Sequence, residues 1–92
     1  MADTYIKQPS ETRIYSVDFV NLLAGGDSLS AVSSVTATPA DELMIGYTSI
    51  SDATVQFTIG DGDNGTKYKI EVIVTTTNGE TLEGDGFLLC KD

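Results

Sequence analysis

Apolar and polar residues alternate along most of this chain with the period of a β-strand. Val55, Phe57 and Ile59 alternate with Thr54, Gln56 and Thr58, and Tyr68, Ile70, Val72 and Val74 alternate with Lys67, Lys69, Glu71 and Thr75. A period of two turns one face of each strand to a core and the other to water. Thr12 to Asp18 reads as a first strand with Tyr15 and Val17 on one face and Ile14, Ser16 and Asp18 on the other. The apolar positions 19, 20, 22 and 23 break the alternation and predict one short helical turn, capped from its N-terminal side by Asp18.

Ala24-Gly25-Gly26-Asp27 reverses the chain into a low-bulk strand from Leu29 to Thr38, which Pro39 ends. Ala40-Asp41-Glu42 predicts a turn, and Leu43, Ile45 and Tyr47 alternate in a strand ending near Ile50. The strand of Val55, Phe57 and Ile59 runs into the loop Gly60 to Gly65. Thr66 to Thr77 is the longest strand, and Asn78-Gly79 predicts a type I′ hairpin into Glu80 to Cys90. Gly84 and Gly86 mark a bulge or a close approach there.

Turns recurring about every 8–12 residues predict an immunoglobulin-like β-sandwich of about seven antiparallel strands with Greek-key connections. Residues 1–11 are polar around Pro9 and read as an extended N-terminal arm, with residues 12–92 as one sandwich domain.

Composition narrows the function. Ninety-two residues with 14 acidic and 5 basic side chains give a net charge of -9. That balance opposes binding to nucleic acid, which needs Lys/Arg clusters, and to anionic membranes. It favours solubility or a basic partner surface. Cys90 is the single cysteine, so no internal disulfide staples the domain, and a reducing compartment of origin is expected. No apolar stretch approaches the ~20 residues that span a bilayer. The opening residues lack the basic and apolar regions of a signal peptide, so synthesis in a cytoplasm is expected.

Catalytic chemistry finds little support. The chain has no His to serve as a base, and no pair of its acids is set apart for acid/base work, so no enzyme and no cofactor are expected. Asp61-Gly62-Asp63-Asn64-Gly65 suggests calcium, yet the positions an EF-hand needs as fifth, sixth and twelfth hold Gly65, Thr66 and Val72. A polar loop is expected, with calcium at Asp61 and Asp63 left open. Tyr68 after this Gly65-containing loop fits a tyrosine corner, its hydroxyl bonding back to upstream backbone. Gly65, Tyr68, Asn78 and Gly79 are therefore assigned structural roles. Phe87, Leu88, Leu89 and Cys90 are apolar on both faces of the last strand, and Ile73 falls on an outward face. Either the arm or a partner chain covers such residues. Tyr5, Ile6, Lys7, Ile73 and Leu88 are the partner-binding candidates.

The segments Lys7-Gln8-Pro9-Ser10-Glu11, Tyr15-Ser16-Val17-Asp18-Phe19 and Leu23-Ala24-Gly25-Gly26-Asp27-Ser28-Leu29 resemble a family of small immunoglobulin-like proteins of tailed bacteriophages. These are the fiber-tail adaptor or neck-region proteins. Gly65-Thr66-Lys67-Tyr68 and Thr76-Thr77-Asn78-Gly79 extend the resemblance to about Leu89. Phe19 stands where the family usually carries Trp. The resemblance implies a non-enzymatic virion protein that joins tail or neck to fibres, in multiple copies, with other phage virion proteins as partners. A capsid decoration protein is the alternative within the class. A host-surface carbohydrate-binding module is an alternative outside it, although most of the seven aromatics fall on expected core faces.

Overall fold

The computed structural model describes residues 4–39 and 42–92. Of the expected arm, residues 1–3 lie outside the described residues, as do two residues of the turn expected at Ala40-Asp41-Glu42. Seven strands form: β1 (Thr4–Lys7), β2 (Arg13–Asp18), β3 (Leu29–Thr38), β4 (Leu43–Ser51), β5 (Thr54–Asp61), β6 (Thr66–Thr76) and β7 (Thr81–Cys90). They make a four-stranded sheet in the order β1-β7-β6-β3 and a three-stranded sheet in the order β2-β5-β4.

The alternation explains why the sheets face each other. Val55, Phe57 and Ile59 on β5 and Tyr68, Ile70, Val72 and Val74 on β6 all point inward, joining Tyr15, Phe19, Leu29, Leu88 and Cys90 in one buried cluster. The inward residues of β7 opposite Val72 and Ile70 are Gly84 and Gly86. A Cβ on Gly84 would lie 2.8 Å from Val17 Cγ1 of the other sheet and 3.0 Å from the ring of Phe19, just past the end of β2. The β6–β7 register runs without interruption, so the glycines serve a close approach between sheets and not a bulge.

Three details bear on the expectations, and the first and third depart from them. First, β1 pairs with β7 in parallel, Thr4 opposite Phe87 and Lys7 opposite Cys90, so the strands are not all antiparallel. The chain leaves β1 for the other sheet instead of turning back on itself, which allows the parallel pairing. Second, residues 19–23, where one short helical turn is expected, hold a single hydrogen-bonded turn: the Leu22 and Leu23 amides donate to Phe19 O at 2.9 and 3.2 Å, and Val20 N donates to Asp18 Oδ1 at 2.9 Å. Third, only Gly79 of the Asn78-Gly79 pair takes a positive φ, of 92°. Gly79 N donates to Thr76 O at 3.0 Å and Thr76 N to Glu80 O at 2.8 Å, which makes a three-residue hairpin with a glycine bulge instead of type I′.

Two strands carry bulges that the alternation did not reveal. On β4 one extra residue lies between the Gly46–Thr58 and Ser49–Gln56 pairs. Ile45 before it and Ile50 after it both pack on the core although they differ in parity. Tyr47, expected to point inward with Leu43 and Ile45, sits in this bulge with φ 50° and is 90% exposed. On β3 the register shifts twice, between Leu29 and Ala31 and between Val32 and Ser34. The shifts bring Leu29, Val32 and Val35, spaced by three, onto the inner face.

Candidate interface

Strand β1 is fixed from its inner side. Tyr5 packs on Tyr15 across the two sheets, with ring centroids 5.1 Å apart and planes tilted by 55°. Lys7, opposite Cys90 on the inner face, has no solvent exposure. Its ammonium donates to the carbonyl oxygens of Gln8 (2.7 Å), Pro9 (3.3 Å) and Glu11 (2.9 Å), gathering the β1–β2 connection around one charge. Lys91 N continues the ladder by donating to Lys7 O at 2.8 Å. Glu11 accepts from Gln8 N, and that bond, with help from Arg13, holds its carboxyl below the ordinary glutamate range. Residues 4–7, expected within an arm, are therefore extended and zipped to the sheet. Of the partner candidates there, Ile6 is exposed while Lys7 is taken up inside.

Leu88 is a correction. It alternates inward on β7 and is buried in the core, because Tyr5 and Tyr68 are its lateral neighbours on the inner face. The outward residues of that segment are Phe87 and Leu89. The outer face of the larger sheet is then ordered by register. Leu89 lies between Ile6 and Lys67, Phe87 beside Lys69, Asp85 beside Glu71 and Glu83 beside Ile73. Lys67 Nζ stands 4.8 Å from the Phe87 ring centroid, a cation–π contact. Glu71, Glu83 and Asp85 bring carboxylate oxygens within 4.8 Å of one another. The hydrogen bond and charge of Asp85 push the Glu83 carboxyl above its ordinary range. Lys69 reaches Glu71 only at 4.0 Å.

Tyr68 organises the loop end. Its ring is fully buried, and its hydroxyl accepts from Asp63 N at 2.9 Å and donates to Glu42 Oε1 at 2.6 Å. Burial raises the phenol above its ordinary value. The bond to Asp63, five residues upstream, fixes the loop in which Gly62 and Gly65 take positive φ. Among the described residues the acids that converge as a group of three are Glu71, Glu83 and Asp85, not Asp61 and Asp63.

The outer face of the smaller sheet is different in kind. Its register rows are Ile14–Thr58–Gly46, Ser16–Gln56–Ser49 and Asp18–Thr54–Ser51. In a chain of 14 acids these rows carry one among the described residues, Asp18, and the face exposes Ile14, Met44 and the bulged Tyr47. Charge depletion with exposed Tyr, Met and Ile is the composition of an interface core. Sequence reasoning missed it because Tyr47 reads as a core residue until the bulge is known.

Two of the concavities of the described residues are poorly suited to a sugar. The gap between Tyr5, Tyr15, Gly86 and Leu88 has room for about 10 Å³, one water at most. A depression of about 330 Å³ among Val20, Leu23, Asp27, Ser28, Asp52 and Ala53 has no aromatic lining on which a sugar could stack.

No curated protein matches the chain. The sequence profile described as podophage GP4 fiber-tail adaptor protein gp77 matches residues 7–88, from the last residue of β1 to near the end of β7. With nearly the whole sandwich inside that match, the chain belongs to the podophage GP4 fiber-tail adaptor gp77 family.

Proposed function

We propose that this chain is a non-enzymatic structural protein of a podophage virion, an adaptor that joins the tail to its fibres. The match to the fiber-tail adaptor family over residues 7–88 carries this reading. The strand order supports an immunoglobulin-like form. The β2-β5-β4 sheet corresponds to strands B, E and D and β7-β6-β3 to G, F and C, with the first strand placed beside the last. A sandwich of this kind is a rigid spacer whose faces engage different neighbours. The partners are other virion proteins, and the chain is present in multiple copies set by the symmetry of the tail.

The charge-poor face of Ile14, Met44 and Tyr47 is the contact for one of those neighbours. Ile6 and Ile73 serve the opposite face. Particles assembled without this chain test the reading. We expect tails that lack fibres, restored when the chain is supplied. Normally fibred particles would exclude the role.

A further inference from the structure

The outer face of the β1-β7-β6-β3 sheet reverses its charge along the strands. One end carries Lys67 and Lys69 with Phe87, Leu89 and Ile6. The other carries Glu71, Glu83 and Asp85 with Ile73. The acidic half is incomplete. Asp85 Oδ1 is shut off from solvent and has no hydrogen-bond partner among the described residues. The three carboxylates crowd within 4.8 Å. Of the five basic residues, Lys7 is buried on carbonyls and Arg13 pairs with Glu11 at 3.4 Å. Lys91 lies beyond β7, which leaves Lys67, over the Phe87 ring, and Lys69, 4.0 Å from Glu71, as the cations of this strand surface.

We propose that this face binds a second copy of the chain, sheet against sheet, about a two-fold axis that lies across the strands. Such an axis reverses strand direction while keeping β6 over β6 and β7 over β7. Its midpoint falls at the Ile70–Gly86 pair. The Lys69–Phe87 row of each copy then meets the Glu71–Asp85 row of the other, and the Lys67–Leu89 row meets the Ile73–Glu83 row. Every contact occurs twice, as an isologous interface requires. Two molecules of charge -9 repel in most orientations. This one sets Lys69 of each copy over Glu71 of the other and Lys67 over Ile73, with Asp85 and Glu83 of the mate one strand across from each lysine and Leu89 diagonal to Ile73. The face is small, so the dimer is weak alone, in the range of transient interfaces. The assignment does not depend on the adaptor reading.

Sedimentation velocity of the full chain, from about 10 µM to about 1 mM, tests it. The wild type should reach dimer mass at the top of that range. Salt at about 1 M, where screening acts within about 3 Å, should weaken it. Lys67→Glu with Lys69→Glu, and separately Glu83→Lys with Asp85→Lys, should each weaken the dimer at least about tenfold. An equimolar mixture of the two variants should restore it. A wild type that stays monomeric, or a dimer kept by both variants, overturns the proposal. If a variant fails to fold, amide shifts of the wild type on dilution decide. Changes confined to β1, β3, β6 and β7 support the face, and changes on β2, β4 and β5 overturn it.

Discussion

At the scale of single residues, three side chains show how much depends on a few atoms. Tyr68 is enclosed, and its hydroxyl bonds Asp63 N and Glu42 Oε1. Tyr68→Phe leaves a part-buried amide and a carboxylate without that partner. It should cost about 1–3 kcal/mol in denaturant unfolding, with no loss of secondary structure. Gly84→Ala places a methyl 2.8 Å from Val17 Cγ1. The sheets must part, at about 1–3 kcal/mol, where an exposed Gly→Ala change would be nearly neutral. Tyr47 is the opposite case, an exposed aromatic at positive φ. Tyr47→Gly relieves the backbone and loses no packing, so stability should stay within about 0.5 kcal/mol while fibre attachment falls. A stability loss well beyond that would show that the ring is packed. The inward placing of Tyr68 was legible from the alternation of its strand. The exposure of Tyr47 was not, since the alternation of Leu43, Ile45 and Tyr47 continues unbroken in the sequence and the inserted residue becomes visible only in register.

At the scale of elements, periodicity located the strands well because their inner faces are nearly pure. Thr54–Asp61, Thr66–Thr76 and Thr81–Cys90 lie where alternation places them. What it could not reveal was pairing. Nothing in Thr4–Lys7 distinguishes a free arm from an edge strand, since four residues hold too little pattern. The deciding contact is a lysine turned inward onto three carbonyls, against the usual placing of Lys at the surface. Leu88 departs from expectation for a related reason: a run of four apolar residues hides which two face the core. The lysine is testable. Lys7→Met keeps the length of the side chain and removes the donors to Gln8, Pro9 and Glu11. It should cost about 1.5–3 kcal/mol and speed amide exchange in β1 and residues 8–11 more than in β6. Unchanged exchange would mean that Tyr5 and the β7 ladder hold the strand alone.

At the scale of the whole molecule, charge sets how stability follows pH. The Glu83 carboxyl is raised above the ordinary glutamate value of 4.5, first by its hydrogen bond to Asp85 and then by that residue's charge. Its folded form therefore binds the proton more tightly than the unfolded chain, and this part of the stability is present at low pH and lost as pH rises through the raised value. Glu11 and Asp27 are lowered, by bonds to Gln8 and Thr76 respectively, so their contribution is lost as pH falls through their lowered values. The dilute monomer should gain stability on mild acidification to just above 4.5 and lose it below the ordinary carboxylate range. Glu83→Gln should raise the melting temperature at neutral pH and remove the mild-acid gain. An unchanged profile would show that Asp85, Glu71 and Lys69 leave Glu83 unperturbed.

The same surface explains why the function was legible only as a resemblance. Contacts on flat sheet faces need no motif, and only family membership joins them to a fibre and a tail. The most direct measurement is a cryo-electron-microscopy reconstruction of the virion focused on the tail–fibre junction. A seven-stranded sandwich lodged between tail and fibre, with Tyr47 and Ile14 against a neighbour, is the expected result. Density for the sandwich on the capsid surface, or its absence from the junction, would contradict the adaptor.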